Sequence, residues 1–170
     1  MNTRRIVYAA AVAALYAGLT MALAPISYGA VQVRVSEALC ILPFFFPWAS
    51  WGLFVGCIIA NLLSSLGILD VVFGSLATLI ASLIIAALGK KGGTWAKIIA
   101  VPVPVIVNGI VIGGVISASA VEGNFFAGMI SSGLTVAAGE AAVMLVLGLP
   151  LLFLLPGTAA YRYLREHDVR

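Results

Sequence analysis

The chain has 170 residues, of which 63% are hydrophobic and only 9% charged, and its mean hydropathy is +1.19. A soluble domain of that composition has too little polar surface to cover itself, so the surrounding medium is lipid. A spanning helix takes about 20 apolar residues, which leaves room for about six crossings with short loops and no soluble domain; residues 1–170 read as one transmembrane domain.

The net charge of +3 matters less than where the basic residues fall. Arg4 and Arg5 open the chain, Lys90, Lys91 and Lys97 surround a Gly-rich turn, and Arg162, Arg165 and Arg170 close it. Cytoplasmic loops collect Lys and Arg, so all three groups are expected inside, with both termini cytoplasmic and an even number of crossings on each side of the turn. Four before and two after is the natural partition. The basic pair, apolar run and Ala22-Leu23-Ala24 imitate a cleavable leader, but Pro25 would follow the cut and the run is long enough to span, so the segment reads as a first helix.

That helix runs from Arg5 to about Ala24 and is rich in alanine. Ala9, Ala13 and Ala17 mark one small-residue ridge, and Ala10, Ala14 and Gly18 the next; either is a docking face for a partner or a packing face within the bundle. Pro25 to Glu37 is an external segment in which Val31, Val33 and Val35 alternate with Gln32 and Arg34, an extended pattern that predicts an ordered cap. Ala38 to Gly67 carries no charge and reads as two short crossings broken at Pro43 and Pro47, with Trp48 and Trp51 in a headgroup belt at the inner turn. A fourth helix is predicted from Asp70 to Gly89, a fifth from about Trp95 to Ala120, and a sixth from about Phe126 to Tyr163 with interruptions at Pro150 and Pro156. Asp70 reads as an N-cap, and Glu122 and Asn124 as an outer loop.

Ionisable groups in lipid cost about 2.5 to 3.5 kcal/mol on insertion scales and need a partner or a task. Glu140 falls about 20 Å down the sixth helix and Asn108 about 16 Å down the fifth, near mid-membrane, while Asn61 belongs to the outer half. Together they are placed to line one cavity, with Gln32, Arg34 and Glu37 offering donors and acceptors from above. The plainer alternatives are interhelical hydrogen bonds for the two asparagines, a protonated core residue for Glu140, and a mutual pair for Arg34 and Glu37, three apart at a helix entrance. Cys40 and Cys57 lie in apolar stretches and suit small core positions. The one histidine, His167, sits in the charged tail, which argues against a histidine metal site or histidine catalysis in the membrane. No glycine-rich lysine loop for ATP is present, so if transport is energised the nucleotide chemistry belongs to another chain.

The order of features, an alanine-rich first helix, a cap before the second helix and six helices in all, resembles the substrate-binding (S) components of energy-coupling factor (ECF) vitamin transporters. Ala24-Pro25-Ile26-Ser27, Gln32-Val33-Arg34-Val35-Ser36-Glu37-Ala38-Leu39 and Asp70-Val71-Val72-Phe73-Gly74-Ser75-Leu76-Ala77-Thr78-Leu79 resemble its QueT group, assigned to uptake of queuosine precursors, which are deazaguanine bases. The resemblance implies an all-α, six-helix membrane protein of the cytoplasmic membrane, without catalysis or cofactor of its own and without a nucleic-acid partner. It would bind substrate from outside for an ATP-driven importer formed with a transmembrane coupling protein and two ATPase subunits. It further implies that the first-helix face of Ala9, Ala10, Ala13, Ala14 and Ala17 meets the coupling protein. Substrate would sit under the cap among Gln32, Arg34, Glu37, Asn61, Asn108 and Glu140, with Tyr28 or Phe73 stacking on the base. An S component for another vitamin, a small membrane enzyme using Glu140 or Asp70, and an assembly subunit are the alternatives. Monomer is the expected oligomeric state.

Overall fold

The computed structural model describes residues 2–29, 31–120 and 124–168; Glu122 and Arg170, read above as loop and tail, lie outside them. Every regular element among the described residues is helical. In chain order these are α1 (Thr3–Ala22), α2 (Ala24–Ser27), a 3-10 helix (Val35–Phe44), α3 (Ala49–Asn61), a π-helical turn (Asp70–Gly74), α4 (Ser75–Lys91), α5 (Gly93–Ala100) and α6 (Pro102–Ser119). They are followed by α7 (Phe125–Val143), a second π turn (Met144–Gly148), α8 (Leu149–Leu154), a 3-10 turn (Leu155–Gly157) and α9 (Ala159–Asp168).

Four stretches are long and apolar enough to cross a membrane, Thr3–Ala22, Asp70–Lys91, Gly93–Ser119 and Phe125–Gly157, and two apolar helices, Val35–Phe44 and Ala49–Asn61, are shorter. The 3-10 geometry of Val35–Phe44 rises about 2.0 Å per residue instead of 1.5, so its ten residues reach about 20 Å. The outward faces of the long helices carry large apolar side chains such as Ile130, Leu134 and Val146, each 63–68% exposed, which only lipid covers favourably.

Helices meet where glycine removes the side chain. α1 lies on α3 because Gly52 faces Ala9 and Gly56 faces Ala13; a Cβ at Gly56 would stand 2.7 Å from the Ala13 carbonyl oxygen. α6 and α7 interlock through Gly109, Gly113 and Gly133 in the same way. Gly92 and Gly93, with φ of +67° and +82°, make the turn between α4 and α5, a left-handed conformation that a side chain disfavours. At the end of the bundle where the described chain starts and stops, Phe46, Trp48 and Tyr161 pack with Tyr8, and Arg5 pairs with Asp168 at 2.7 Å.

Several expectations are revised. Trp48 is buried in that aromatic cluster, leaving Trp51 as the exposed indole of the pair. The last long stretch is interrupted near both prolines as read: α-helix gives way to the π turn Met144–Gly148 just before Pro150 in the first turn of α8, and Pro156 lies in the 3-10 turn Leu155–Gly157. Asn124, by contrast, is an N-cap, accepting from the backbone N–H groups of Phe126 and Ala127.

The α6–α7 packing generates a paired prediction. A Cβ at Gly113 would approach Gly133 Cα and Met129 O to 2.7 Å, whereas one at Gly114 meets nothing within 4 Å. Gly113→Val is expected to lower stability by about 1–3 kcal/mol and Gly114→Ala to leave it nearly unchanged, read as melting of the detergent-purified chain. Equal melting temperatures for the two variants would contradict the packing described.

Candidate functional site

Beneath the segment joining α2 to the 3-10 helix, six parts of the chain bring polar side chains into one buried cluster. Arg34 comes from the segment itself, Tyr16 and Thr20 from α1, Ser36, Glu37 and Cys40 from the 3-10 helix, Cys57 and Asn61 from α3, Asp70 and Thr78 from the π turn and α4, and Glu140 from α7. All are buried, and in lipid-bounded surroundings their hydrogen-bonding capacity has to be met from within.

The segment is ordered by its own backbone. Gln32 N–H donates to the Gly29 carbonyl and Val33 N–H to that of Ile26, with Gln32 in a left-handed conformation at φ 49°. Its carbonyls lie on α7 at Gly139, where a Cβ would collide with Val31 and Gln32, and this close approach puts the cap next to Glu140. The alternating pattern read as an ordered cap takes the form of a turn with irregular backbone, held by these hydrogen bonds.

Arg34 is the electrostatic centre. Its Nη2 meets Asp70 Oδ2 at 3.0 Å, with side-chain exposures of 7% and 0%, and its guanidinium lies 5.6 Å from the centroid of the Tyr28 ring. The expected Arg34–Glu37 pair is absent from the described contacts: extended backbone at Arg34 turns it toward Asp70, and Glu37 accepts instead from Tyr16 Oη and from Cys40 Sγ at 2.9 Å. Residues three apart eclipse in a 3-10 helix, which is why Cys40 rather than Arg34 reaches Glu37. Asp70 is no N-cap either, since its side chain makes no cap bond and is committed to Arg34. The π turn that opens the helix at Asp70 widens the backbone where its carboxylate enters the cluster.

Asn61 ends α3 and donates from Nδ2 to the Asp70 carbonyl at 2.9 Å, linking the two helices. Thr78 Oγ1 donates to the Gly74 carbonyl at 3.2 Å, and Thr20 and Ser36 share a hydrogen bond of 2.6 Å. Asn108 on α6 neighbours Glu140 across the α6–α7 interface, as their depths in the sequence imply. Tyr28 donates to the Ala60 carbonyl, while Phe73 is exposed on the outer surface of the bundle.

The cluster is not fully satisfied. Arg34 Nε, Asn61 Oδ1, Asp70 Oδ1 and Glu140 Oε1 are buried without a hydrogen-bond partner, a set holding one donor and three acceptors. Buried polar groups are nearly always paired, so these orphans, four of the eight such atoms among the described residues, single the cluster out as the candidate site for a polar solute. Both oxygens of Glu37, by contrast, are engaged. A groove of about 420 Å³ between α5–α6 and α7–α8 is lined by apolar residues including Val101, Val105, Met144 and Leu149; it offers a polar solute nothing and faces the side that lipid fills.

Tyr16, Asp70, Cys57 and Thr78 belong to the cluster although their sequence context did not announce it. A tyrosine inside an alanine-rich apolar helix was the available signal, since its hydroxyl needs a partner when buried. Of the first-helix ridges, Ala9, Ala13 and Ala17 are buried against α3, whereas Ala10, Ala14 and Gly18 face outward. A shallow groove of about 220 Å³ lined by Ile6, Ala9, Ala10, Ala13, Trp51 and Val55 runs between the two helices.

Comparison with known proteins gives one family and one relative. The family model described as QueT transporter matches residues 6–156. The protein named "Queuosine precursor transporter QueT" from Lactococcus lactis subsp. cremoris (strain MG1363) is 46% identical over 81 residues, covering 46% of this chain and 47% of that protein. The match therefore spans about half the length of that relative. No solved structure gives a significant match.

The ion pair at the centre of the cluster is open to a mutant cycle. Arg34→Met or Asp70→Leu alone should cost about 3–5 kcal/mol by stranding a buried charge, and the double substitution should cost clearly less than the sum. Additive losses, measured by melting in detergent, would mean that the two side chains do not pair.

Proposed function

Because the chain belongs to the QueT transporter family, we propose that it is the membrane-embedded substrate-binding subunit of an ATP-driven ECF importer, taking up a deazaguanine base from outside. The family is one of transporters, which sets a membrane enzyme aside, and its apolar helices fit a multi-pass protein of the cell membrane. The relative's name supplies the substrate class, a queuosine precursor. In this reading residues 1–170 act as a single transmembrane domain.

The observation that carries the binding role is the set of orphaned buried atoms under the cap. A deazaguanine presents adjacent ring and amino N–H groups, a carbonyl and a flat face. Carboxylate and amide oxygens accept the N–H groups, and the free Arg34 Nε donates to the carbonyl. Tyr28, already held over Arg34, offers the face for stacking. Glu140, with one oxygen free, is assigned to substrate together with Arg34, Asn61 and Asn108. Gln32 is assigned through the cap, and Glu37 shapes the site from its bonds to Tyr16 and Cys40.

In this proposal the two short apolar helices also cross, giving six crossings with both termini cytoplasmic. The pairing of Arg5 with Asp168, which gathers the ends of the described chain on one face, supports it, as does the grouping of basic residues. The outward ridge of Ala10 and Ala14, with the groove edge at Ala9 and Ala13 and with Ala17 beneath, is the proposed contact for the coupling protein. ATP hydrolysis is assigned to two partner ATPase subunits.

Thermal stabilisation of the purified chain against deazaguanine bases, guanine, riboflavin, biotin and thiamine tests the reading. A ligand at a hundred times Kd stabilises by about 2.7 kcal/mol, enough to move the melting curve visibly. Selective stabilisation by a deazaguanine, weakened at least about tenfold in Glu140→Gln, is expected. A response to another vitamin alone would discard the substrate.

A further inference from the structure

Gly109 and Gly133 hold α6 against α7, each admitting the other's backbone. Toward the α5 end of α6 the two walls part, and a groove of about 420 Å³ opens between Pro102 and Val105 on one side and Met144 and Leu149 on the other. Both walls are irregular there. α5 stops at Ala100 and the chain restarts as α6 at Pro102, a residue without an N–H whose ring crowds the preceding turn. Opposite, α7 gives way to the π turn Met144–Gly148, which widens the backbone. Every residue lining the groove is apolar, so an acyl chain suits it and water does not.

One end of the groove carries a charge. From Val105 and Ala141 the lining runs about 10–12 Å along the helices to Ile98 and Leu149. Lys97 precedes Ile98, and Phe153 lies one turn beyond Leu149. The Lys97 ammonium sits 4.8 Å from the centroid of the Phe153 ring and 5.9 Å from that of Phe45. The ring faces hold the cation in position without neutralising it, and among the described residues no carboxylate comes within ion-pair distance of it. Between Asp70 and Glu122 the sequence carries Lys90, Lys91 and Lys97 and no acid. Trp95, 78% exposed, presents an indole two residues before Lys97, as suits headgroup level.

We infer that the groove is a binding site for an anionic phospholipid, one acyl chain lying along Val105, Met144 and Leu149 and the phosphate meeting the Lys97 ammonium. The site shares no residue with the polar cluster and does not depend on which solute that cluster takes. A zwitterionic lipid offers the same chain, but its own cation competes with Lys97 for the phosphate. Charge therefore selects among lipids whose tails are alike. One lysine close to a phosphate corresponds to a preference of about fivefold.

The test titrates dioleoylphosphatidylglycerol and dioleoylphosphatidylcholine, in turn, onto the delipidated full chain in detergent and counts bound lipids by native mass spectrometry. One phosphatidylglycerol is expected to remain bound, with an affinity at least about fivefold that of phosphatidylcholine. Lys97→Gln should bring that ratio close to one. Ala141→Phe, which fills the groove, should weaken both lipids at least about tenfold. Leu145→Trp, at a lining position 58% exposed, is the second filling variant should the first fail to fold. Equal affinity for the two lipids would overturn the inference. So would a preference that survives Lys97→Gln, or binding that is lost in Lys97→Gln but untouched by filling the groove, which would reduce the site to surface charge.

Discussion

Lipid offers no hydrogen bonds, and the structure is organised around that constraint. A chain with this apolar composition could have kept its interior free of charge, yet Arg34, Glu37, Asp70 and Glu140 are all buried in one place. The Arg34–Asp70 pair is what makes the arrangement tenable. It neutralises the one buried guanidinium among the described residues, ties the cap to the start of the second long stretch at Asp70, and lays the guanidinium near the Tyr28 ring. Without it, the cap would lose this anchor to the bundle. A pair of this kind adds little to stability against a well-packed apolar alternative, so its presence points to specificity and to the site it frames.

The surrounding packing serves the same end. Glycines at Gly52, Gly56, Gly113 and Gly133 bring helix backbones close, so that the bundle holds its shape by contact rather than by an apolar driving force that lipid does not provide. Gly139 does the same for the cap, admitting the carbonyls of Val31 and Gln32 onto α7 one residue from Glu140. The two irregular helices are placed where regular ones would fail. The 3-10 helix stretches ten residues across a distance that an α-helix of that length would not reach, and the π turn at Asp70–Gly74 opens the backbone beside the carboxylate.

Much of the fold was legible in the sequence because lipid imposes a simple rule on composition, and apolar length marks the long helices within a few residues. Glu140 and Asn108 were legible for the same reason, as polar residues deep in apolar runs. The pairings were not. Spacing suggested that Arg34 meets Glu37, three residues away, whereas its partner is Asp70, thirty-six residues away, and no local pattern encodes a contact of that separation. Asp70 at a helix start looked like a cap because that is what aspartate does when nothing distant competes for it. Tyr16 was hidden by its alanine-rich context, and Trp48 was assigned to the interface because an indole near a turn suits both a headgroup belt and an aromatic cluster. In each case tertiary packing overrode a sound local preference.

The central claim is that the unsatisfied polar atoms under the cap are where the substrate lies. An experimental structure of the chain in a bilayer mimetic, determined with a deazaguanine present, tests it most directly. The account predicts ligand density beneath residues 31–34, within hydrogen-bonding distance of Glu140 and Arg34 and against the Tyr28 ring. Density confined to the apolar groove between α5–α6 and α7–α8, with the polar cluster closed and unchanged, would contradict it.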